Sequence, residues 1–256
     1  MGPSRWTEDE VKQALYLYLQ LPFGKIHSNN PEVIALAENF GRSPSSIAMK
    51  LANFASLDPE ITGTGRKGLQ GASELDRKVW NEFNNDWTRL IKEAEELSKK
   101  LSNKNNSFEE DVSNFEYESA YFDDSTIKST IEKRIGQNFF RRSVLTNYNS
   151  MCCVTGISDI RLLNASHILP WSIDVENRHN PRNGLCLSAT FDRAFDRGLM
   201  TVDEFNCIRL SKELLGSECL KTREFFHPYE KREMLAAVKI SPNPAFLRWH
   251  RENQFK

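Results

Sequence analysis

Apolar positions recur at helical spacing through the N-terminal third of the chain. Thr7-Glu8-Asp9-Glu10 reads as a capping box, a hydroxyl at the N-cap answered by a glutamate three residues on. Val11, Ala14, Leu15 and Tyr18 then follow on one face. Pro22 and Gly24 stop this helix by Leu21. A second helix opens at Asn30-Pro31, a cap followed by proline at the first helical position; it is expected to bury Ile34, Ala37 and Phe40 and to end at Gly41. Ser43-Pro44 repeats that start, and Ile47, Leu51 and Phe54 mark the inner face of a third helix. From Ser73 one long helix is predicted through about Leu101. Its seam of Trp80, Phe83, Trp87, Leu90, Ala94, Leu97 and Leu101 alternates steps of three and four, a heptad pattern. Such a seam fits docking on the chain's own core and pairing with a second copy equally well.

Beyond it the periodicity fades. Residues 102–125 are polar, then acidic, with scattered aromatics, and resemble a linker. Thr126–Tyr148 is expected to be a helix carrying Arg134, Gln137, Phe140, Arg141 and Arg142. Leu199–Val202 and Ile208–Leu210 predict a short hairpin, and Asn243–His250 a closing helix with His250 at the surface.

Composition adds bounds. A hydrophobic share of 39% with 11% aromatics suffices for packed cores. No apolar run approaches a membrane span, and the N-terminus lacks a charged-then-apolar leader pattern, so a cytoplasmic protein is expected. The five cysteines include no C-x-x-C pair, which favours buried reduced thiols over a structural zinc. A net charge of -1 conceals an uneven distribution. Residues 90–125 hold four basic against ten acidic residues, whereas residues 126–213 hold twelve against nine.

The second and third N-terminal helices, joined by a short glycine-containing turn, look like a helix-turn-helix. Its recognition end would present Ser45, Ser46, Met49 and Lys50, with Arg42 in the turn. The glycine-rich stretch 61–71 carries Arg66 and Lys67 and is a candidate wing or phosphate-gripping loop. Residues 1–72 balance seven basic against seven acidic residues, pointing to readout of a base feature rather than bulk phosphate attraction. An ordinary small helical domain is the plainer alternative.

The densest chemistry lies in Ala165-Ser166-His167-Ile168-Leu169-Pro170-Trp171, then Asn183-Gly184-Leu185, then Phe191-Asp192-Arg193-Ala194-Phe195-Asp196. Singly, each polar residue here has an ordinary structural explanation. In order and spacing, the block from about Gln137 to Thr201 resembles the HNH nuclease family, in the branch that reads "SHI-PW … NGL-L … D-AFD-GL". The run through Gly136-Gln137, Phe140-Arg141, Tyr148 and Cys153-Val154-Thr155-Gly156 looks like that family too. The resemblance implies two strands and a helix around one divalent metal, with His167 as general base and Asn183 bracing it. Gly184 suits a tight turn beside them. If the last segment is helical, Asp192 and Asp196 share a face and make a hard oxygen site suited to Mg²⁺ or Mn²⁺. Ser166 is a weak further ligand. Phe191 stands where many relatives have a histidine before an aspartate. Arg193 and Arg197 are candidates to face the phosphate.

These readings combine into an α+β protein. Residues 1–72 form a helix-turn-helix or winged-helix-like DNA-reading domain, residues 73–125 a long helix and acidic linker, and residues 126–256 a ββα-metal HNH nuclease domain. The expected function is metal-dependent cleavage of double-stranded DNA, as in a restriction enzyme, including one specific for modified cytosine. The alternatives are an HNH nuclease of another defence or mobile-element system, and a DNA-binding regulator with an inactive nuclease domain.

Overall fold

The computed structural model describes residues 5–63, 69, 71–83, 86–102 and 124–256. They form an α+β structure, mostly helical, with two small sheets. No helix among them is long and apolar enough to cross a membrane.

Helices α1 (Glu8–Gln20), α2 (Pro31–Phe40), α3 (Pro44–Leu57), α4 (Pro59–Gly63), α5 (Glu74–Phe83) and α6 (Trp87–Ser102) build the N-terminal part. The capping box at Thr7 is present in both directions. Asn30 and Ser43 cap α2 and α3 with their side chains, and Gly41 ends α2 in the left-handed conformation at φ 61°, where glycine carries no Cβ penalty. Helix α1 is central, its Val11, Leu15, Tyr18 and Leu19 buried among the other helices. The rings of Tyr18, Phe54 and Trp80 lie about 6 Å apart. The inner face of α2 is Val33, Leu36 and Ala37 rather than Ile34, Ala37 and Phe40; Ile34 and Phe40 are only half-buried.

The single long helix predicted from Ser73 is two helices. Asp86 accepts a hydrogen bond from the Arg89 N–H (3.1 Å) and caps α6, the position where a short carboxylate competes best with helix continuation. Trp80, Phe83, Trp87, Leu90 and Ala94 are nonetheless all buried in the chain's own core. The heptad seam is therefore spent internally, which removes the reason for expecting a homodimer. The acidic linker and the Arg66–Lys67 stretch lie outside the described residues.

Helix α7 (Asp124–Asn147) leads to the C-terminal part. There β1 (Leu163–His167) pairs antiparallel with β2 (Gly184–Ser188), and helix α8 (Ala189–Asp196) follows directly. The predicted hairpin forms as β3 (Met200–Val202) and β4 (Ile208–Leu210). Helices α9 (Lys212–Leu215), α10 (Leu220–Phe226) and α11 (Pro244–Asn253) complete it. A second hydrophobic core gathers here, including Val144, Leu185, Phe191, Phe195 and Met200. Cys152, Cys153 and Cys186 are buried free thiols as expected, whereas Cys207 is half-buried and Cys219 exposed.

Two further expectations fail. His250 is completely buried, its ring stacked on Phe195 at 3.8 Å. Its Nδ1 pairs with the Thr201 hydroxyl at 2.9 Å and its Nε2 with the Phe195 carbonyl at 3.2 Å. Lys50 is buried too, its ammonium 2.6 Å from an Asp76 carboxylate oxygen and above the Trp6 ring.

Candidate active site

A cleft of about 710 Å³ opens between α7, β1 and α8. β1 contributes Asn164, Ala165, Ser166 and His167, α8 with its C-cap contributes Asp192, Arg193, Asp196 and Arg197, and α7 contributes Gln137, Phe140 and Arg141; Pro170, Trp171 and Gln254 close the rim. Of the residues selected from the sequence, His167, Ser166, Asp192, Asp196, Arg193 and Arg197 are thus brought together. Asn183, Arg42, Ser45, Ser46 and Lys50 are not among the residues lining it.

His167 ends β1 with its register partner Gly184 on β2. The Phe140 ring stacks on the imidazole at 3.9 Å and 10°, and the Trp171 ring meets it edge-on at 5.5 Å. Its Nε2 lies 2.9 Å from the Arg178 carbonyl oxygen. Because a carbonyl only accepts, Nε2 carries the proton and Nδ1 holds the lone pair. Burial pushes the His167 pKa below its ordinary value, against the opposing pull of the Arg178 carbonyl and Asp192.

Asn183 supports this histidine at one remove. It is fully buried; its Oδ1 accepts from the Leu169 N–H (2.8 Å), and its Nδ2 donates to the carbonyls of Leu169 (3.3 Å) and Asn177 (3.2 Å). The amide fastens the loop that carries Arg178 and does not touch the imidazole. Gly184 is not a tight turn: it is extended, at φ -129°. A Cβ there would sit 2.2 Å from Val144 Cγ2, so the residue is small because α7 packs directly on β2.

Helix α8 places both of its aspartates on the cleft. Phe191 is buried against Phe226 and Tyr229 and is not among the residues lining the cleft. Asp192, one residue on, accepts from Asn164 Nδ2 at 2.7 Å. Asp196, one turn later, has its pKa raised by burial and by the neighbouring Asp192 charge, with Arg193 and Arg197 opposing.

The chemistry of the donors fits a hard divalent cation. Asp192 and Asp196 line the cleft one helical turn apart, the charge of the first helping to raise the pKa of the second, and the Ser166 hydroxyl in the same cleft is buried without a hydrogen-bond partner. Ions such as Mg²⁺ bind through one or two carboxylates and fill the rest with water and phosphate oxygens. Among the described residues no group of three or more His, Cys, Asp or Glu side chains is placed to hold a metal, the kind of cluster a closed zinc site requires.

The proposed DNA-reading residues fare less well. Arg42 is engaged by Glu10 through two hydrogen bonds (2.9 and 2.8 Å), by the Arg5 carbonyl and by the Trp6 ring. Lys50 is committed to Asp76. Both were chosen for charge, but a nearby carboxylate claimed each. Ser45 is exposed, and Ser46 donates its backbone N–H to the Ser43 cap. The candidate wing around Arg66 and Lys67 lies outside the described residues.

Other residues at or beside the cleft were given no site role from the sequence. Asn164 and Arg178 sit inside the block without matching its quoted letters, and Trp171 was read only as part of the quoted run. Gln137 and Arg141 are one turn apart on α7, a spacing that would have placed them on one face. Gln254 donates to the Asp196 carbonyl (2.7 Å) from 58 residues away, a contact no local pattern foretells. His179 packs edge-on against Trp171 and against Gly136, with both ring nitrogens buried and unpartnered; burial, with His167 and Arg178 nearby, pushes its pKa down to about 4.

Residues 152–203, which contain β1, β2 and α8, match the model of an HNH endonuclease family. Over those residues the C-terminal part of the chain is therefore similar to an HNH endonuclease domain. No curated protein matches the chain.

Proposed function

We propose that the protein is a metal-dependent DNA endonuclease of the restriction type, with His167 as the general base. The observation that carries this reading is the convergence, in one cleft, of a neutral imidazole, two adjacent carboxylates and arginines on two helices.

The residues divide the work as follows. Nδ1 of His167 takes a proton from the attacking water, and the lowered pKa keeps the ring neutral and competent near pH 7. The Arg178 carbonyl and the Phe140 ring hold the imidazole in the tautomer and plane this needs. Arg193 and Arg197 meet the negative charge that builds on the phosphate oxygens. Asp192 and Asp196, with the Ser166 hydroxyl beside them, would hold Mg²⁺ or Mn²⁺, which supplies Lewis-acid stabilisation of the scissile phosphate when bound. Asn164 orients Asp192.

In this proposal the N-terminal helices read the DNA through the start of α3, at the exposed Ser45 and half-buried Ser46, with the exposed Met49 beside them. The engagement of Arg42 and Lys50 within the fold shifts that reading away from charge. Selectivity for modified cytosine is the sharpest form of the proposal and follows from the resemblance to small-reader restriction enzymes. A regulator with a dead nuclease domain is disfavoured by the intact constellation around His167.

The test is cleavage of cytosine-methylated and unmethylated copies of one plasmid, with Mg²⁺ or Mn²⁺ and with EDTA. Metal-dependent cutting of the methylated copy alone is the expected result. Equal cutting of both keeps the nuclease and removes the modification requirement. An absence of metal-dependent cutting across methylated, unmethylated and single-stranded DNA would overturn the nuclease reading.

A further inference from the structure

Helix α7 precedes the stretch that matches the HNH family, yet it forms a full wall of the cleft. We infer that Arg141 on α7, with Gln137 one turn before it, is a phosphate-binding residue that grips the DNA backbone across the cleft from α8. The inference rests on the nuclease reading above and adds a contact on the opposite wall.

Three observations carry it. First, the guanidinium of Arg141 is held in place by neutral acceptors only: one terminal nitrogen donates to the Leu163 carbonyl at 2.9 Å and the other to the Ile160 carbonyl at 3.3 Å. These carbonyls flank the 3-10 turn that leads into β1. The fork is therefore pre-oriented by the strand that carries His167, while its remaining N–H groups are left for a ligand in the cleft.

Second, its charge is uncompensated. Arg42, Arg89, Arg142, Arg161 and Arg209 all pair with carboxylates, whereas among the described residues none of Arg141, Arg193 and Arg197 has a carboxylate within ion-pair distance. Other described arginines also lack a carboxylate partner, but these three are the ones that line this cleft. Two sit on α8 and the third on α7, so a strand lying between them meets positive charge from both sides. A backbone of phosphodiesters is the ligand this arrangement fits, since guanidinium forks match phosphate oxygens in pairs.

Third, the neighbour shows what an α7 arginine looks like when it serves the fold instead. Arg142 turns away from the cleft to Glu32 on α2, at 2.5 Å. The sequence places the two side by side, and only Arg141 faces the catalytic histidine's cleft.

The experiment measures DNA binding against salt concentration in EDTA, so that nothing is cut, for wild type, Arg141→Gln, Arg141→Lys and Arg142→Gln. Thermal unfolding of each is recorded alongside. Loss of one phosphate contact lowers the slope of log K against log salt by about 1. Arg141→Gln is expected to show that drop, Arg141→Lys to keep the wild-type slope, and Arg142→Gln to match wild type. With metal present, kcat/KM of Arg141→Gln should fall about tenfold to a hundredfold, with KM carrying most of it. A folded Arg141→Gln with an unchanged slope would overturn the inference while wild-type cleavage leaves the nuclease reading intact. A wild type that neither binds nor cuts DNA would instead overturn that reading, and the inference with it.

Discussion

His167 shows how much of a histidine's character comes from its surroundings. An exposed histidine titrates near 6.5 and samples both tautomers. Here a carbonyl fixes the tautomer, Phe140 fixes the plane, and burial lowers the pKa. Phe140→Ala should admit water to the imidazole and loosen it. The pKa then rises toward its ordinary value, so the acidic limb of the pH profile of kcat/KM moves up, and the rate falls about tenfold at neutral pH. Phe140→Tyr, which keeps the stack, should restore both. An unmoved acidic limb in the alanine variant would show that the stack does not govern the base. At this scale the sequence was informative wherever chemistry repeats in a fixed order: His167, Asp192, Asp196 and the two α8 arginines all reached the cleft. It was misleading wherever charge alone was the signal. Arg42 and Lys50 look like DNA contacts until Glu10 and Asp76 fold up against them, and no local pattern reveals that pairing.

At the scale of elements, local rules did well with ends and poorly with burial. The caps at Thr7, Asn30 and Ser43 and the stop at Gly41 stand where the residue types put them. The seam through Trp80 and Leu90 is real, yet the helix beneath it breaks at Asp86, because one carboxylate cap outweighs continued periodicity over those few residues. His250 was expected outside and is inside, since α11 packs onto α8 and β3 only after the chain has closed. That burial has a pH consequence. The folded pKa of His250 is pushed down to about 4 from an ordinary 6.5. Between those values the unfolded chain binds the proton and the folded chain does not, so stability falls as pH falls through that window. His179 acts in the same direction over the same range. The urea midpoint of wild type should therefore decrease from pH 7 to pH 5. His250→Gln, although less stable at pH 7, should lose less of its stability over that interval. A midpoint in wild type that is flat with pH would contradict the buried, neutral assignment.

At the scale of the whole molecule, α7 joins the two hydrophobic cores. Phe139 belongs to the N-terminal core and stacks on Tyr16 at 5.2 Å, while the next residue, Phe140, stacks on His167. Around it the two parts are tied by Thr146 donating to the Gln20 carbonyl, by Arg142 with Glu32, and by the buried Lys239 ammonium donating to the carbonyls of Tyr18 and Leu21. Burial pushes the Lys239 pKa down to about 7, with Asp58 opposing. None of these ties was legible in the chain, because each joins residues more than a hundred positions apart. The N-terminal helices and the cleft around His167 are thus continuous in packing, which gives an event at one a physical route to the other.

The central claim is that this cleft hydrolyses DNA using His167. The most direct measurement is the cleavage rate of supercoiled plasmid by wild type and His167→Ala, each with Mg²⁺ or Mn²⁺, alongside DNA binding in EDTA. The account predicts that wild type cuts, that His167→Ala is slower by about a hundredfold or more, and that both bind DNA alike. Cutting by His167→Ala at the wild-type rate would contradict it.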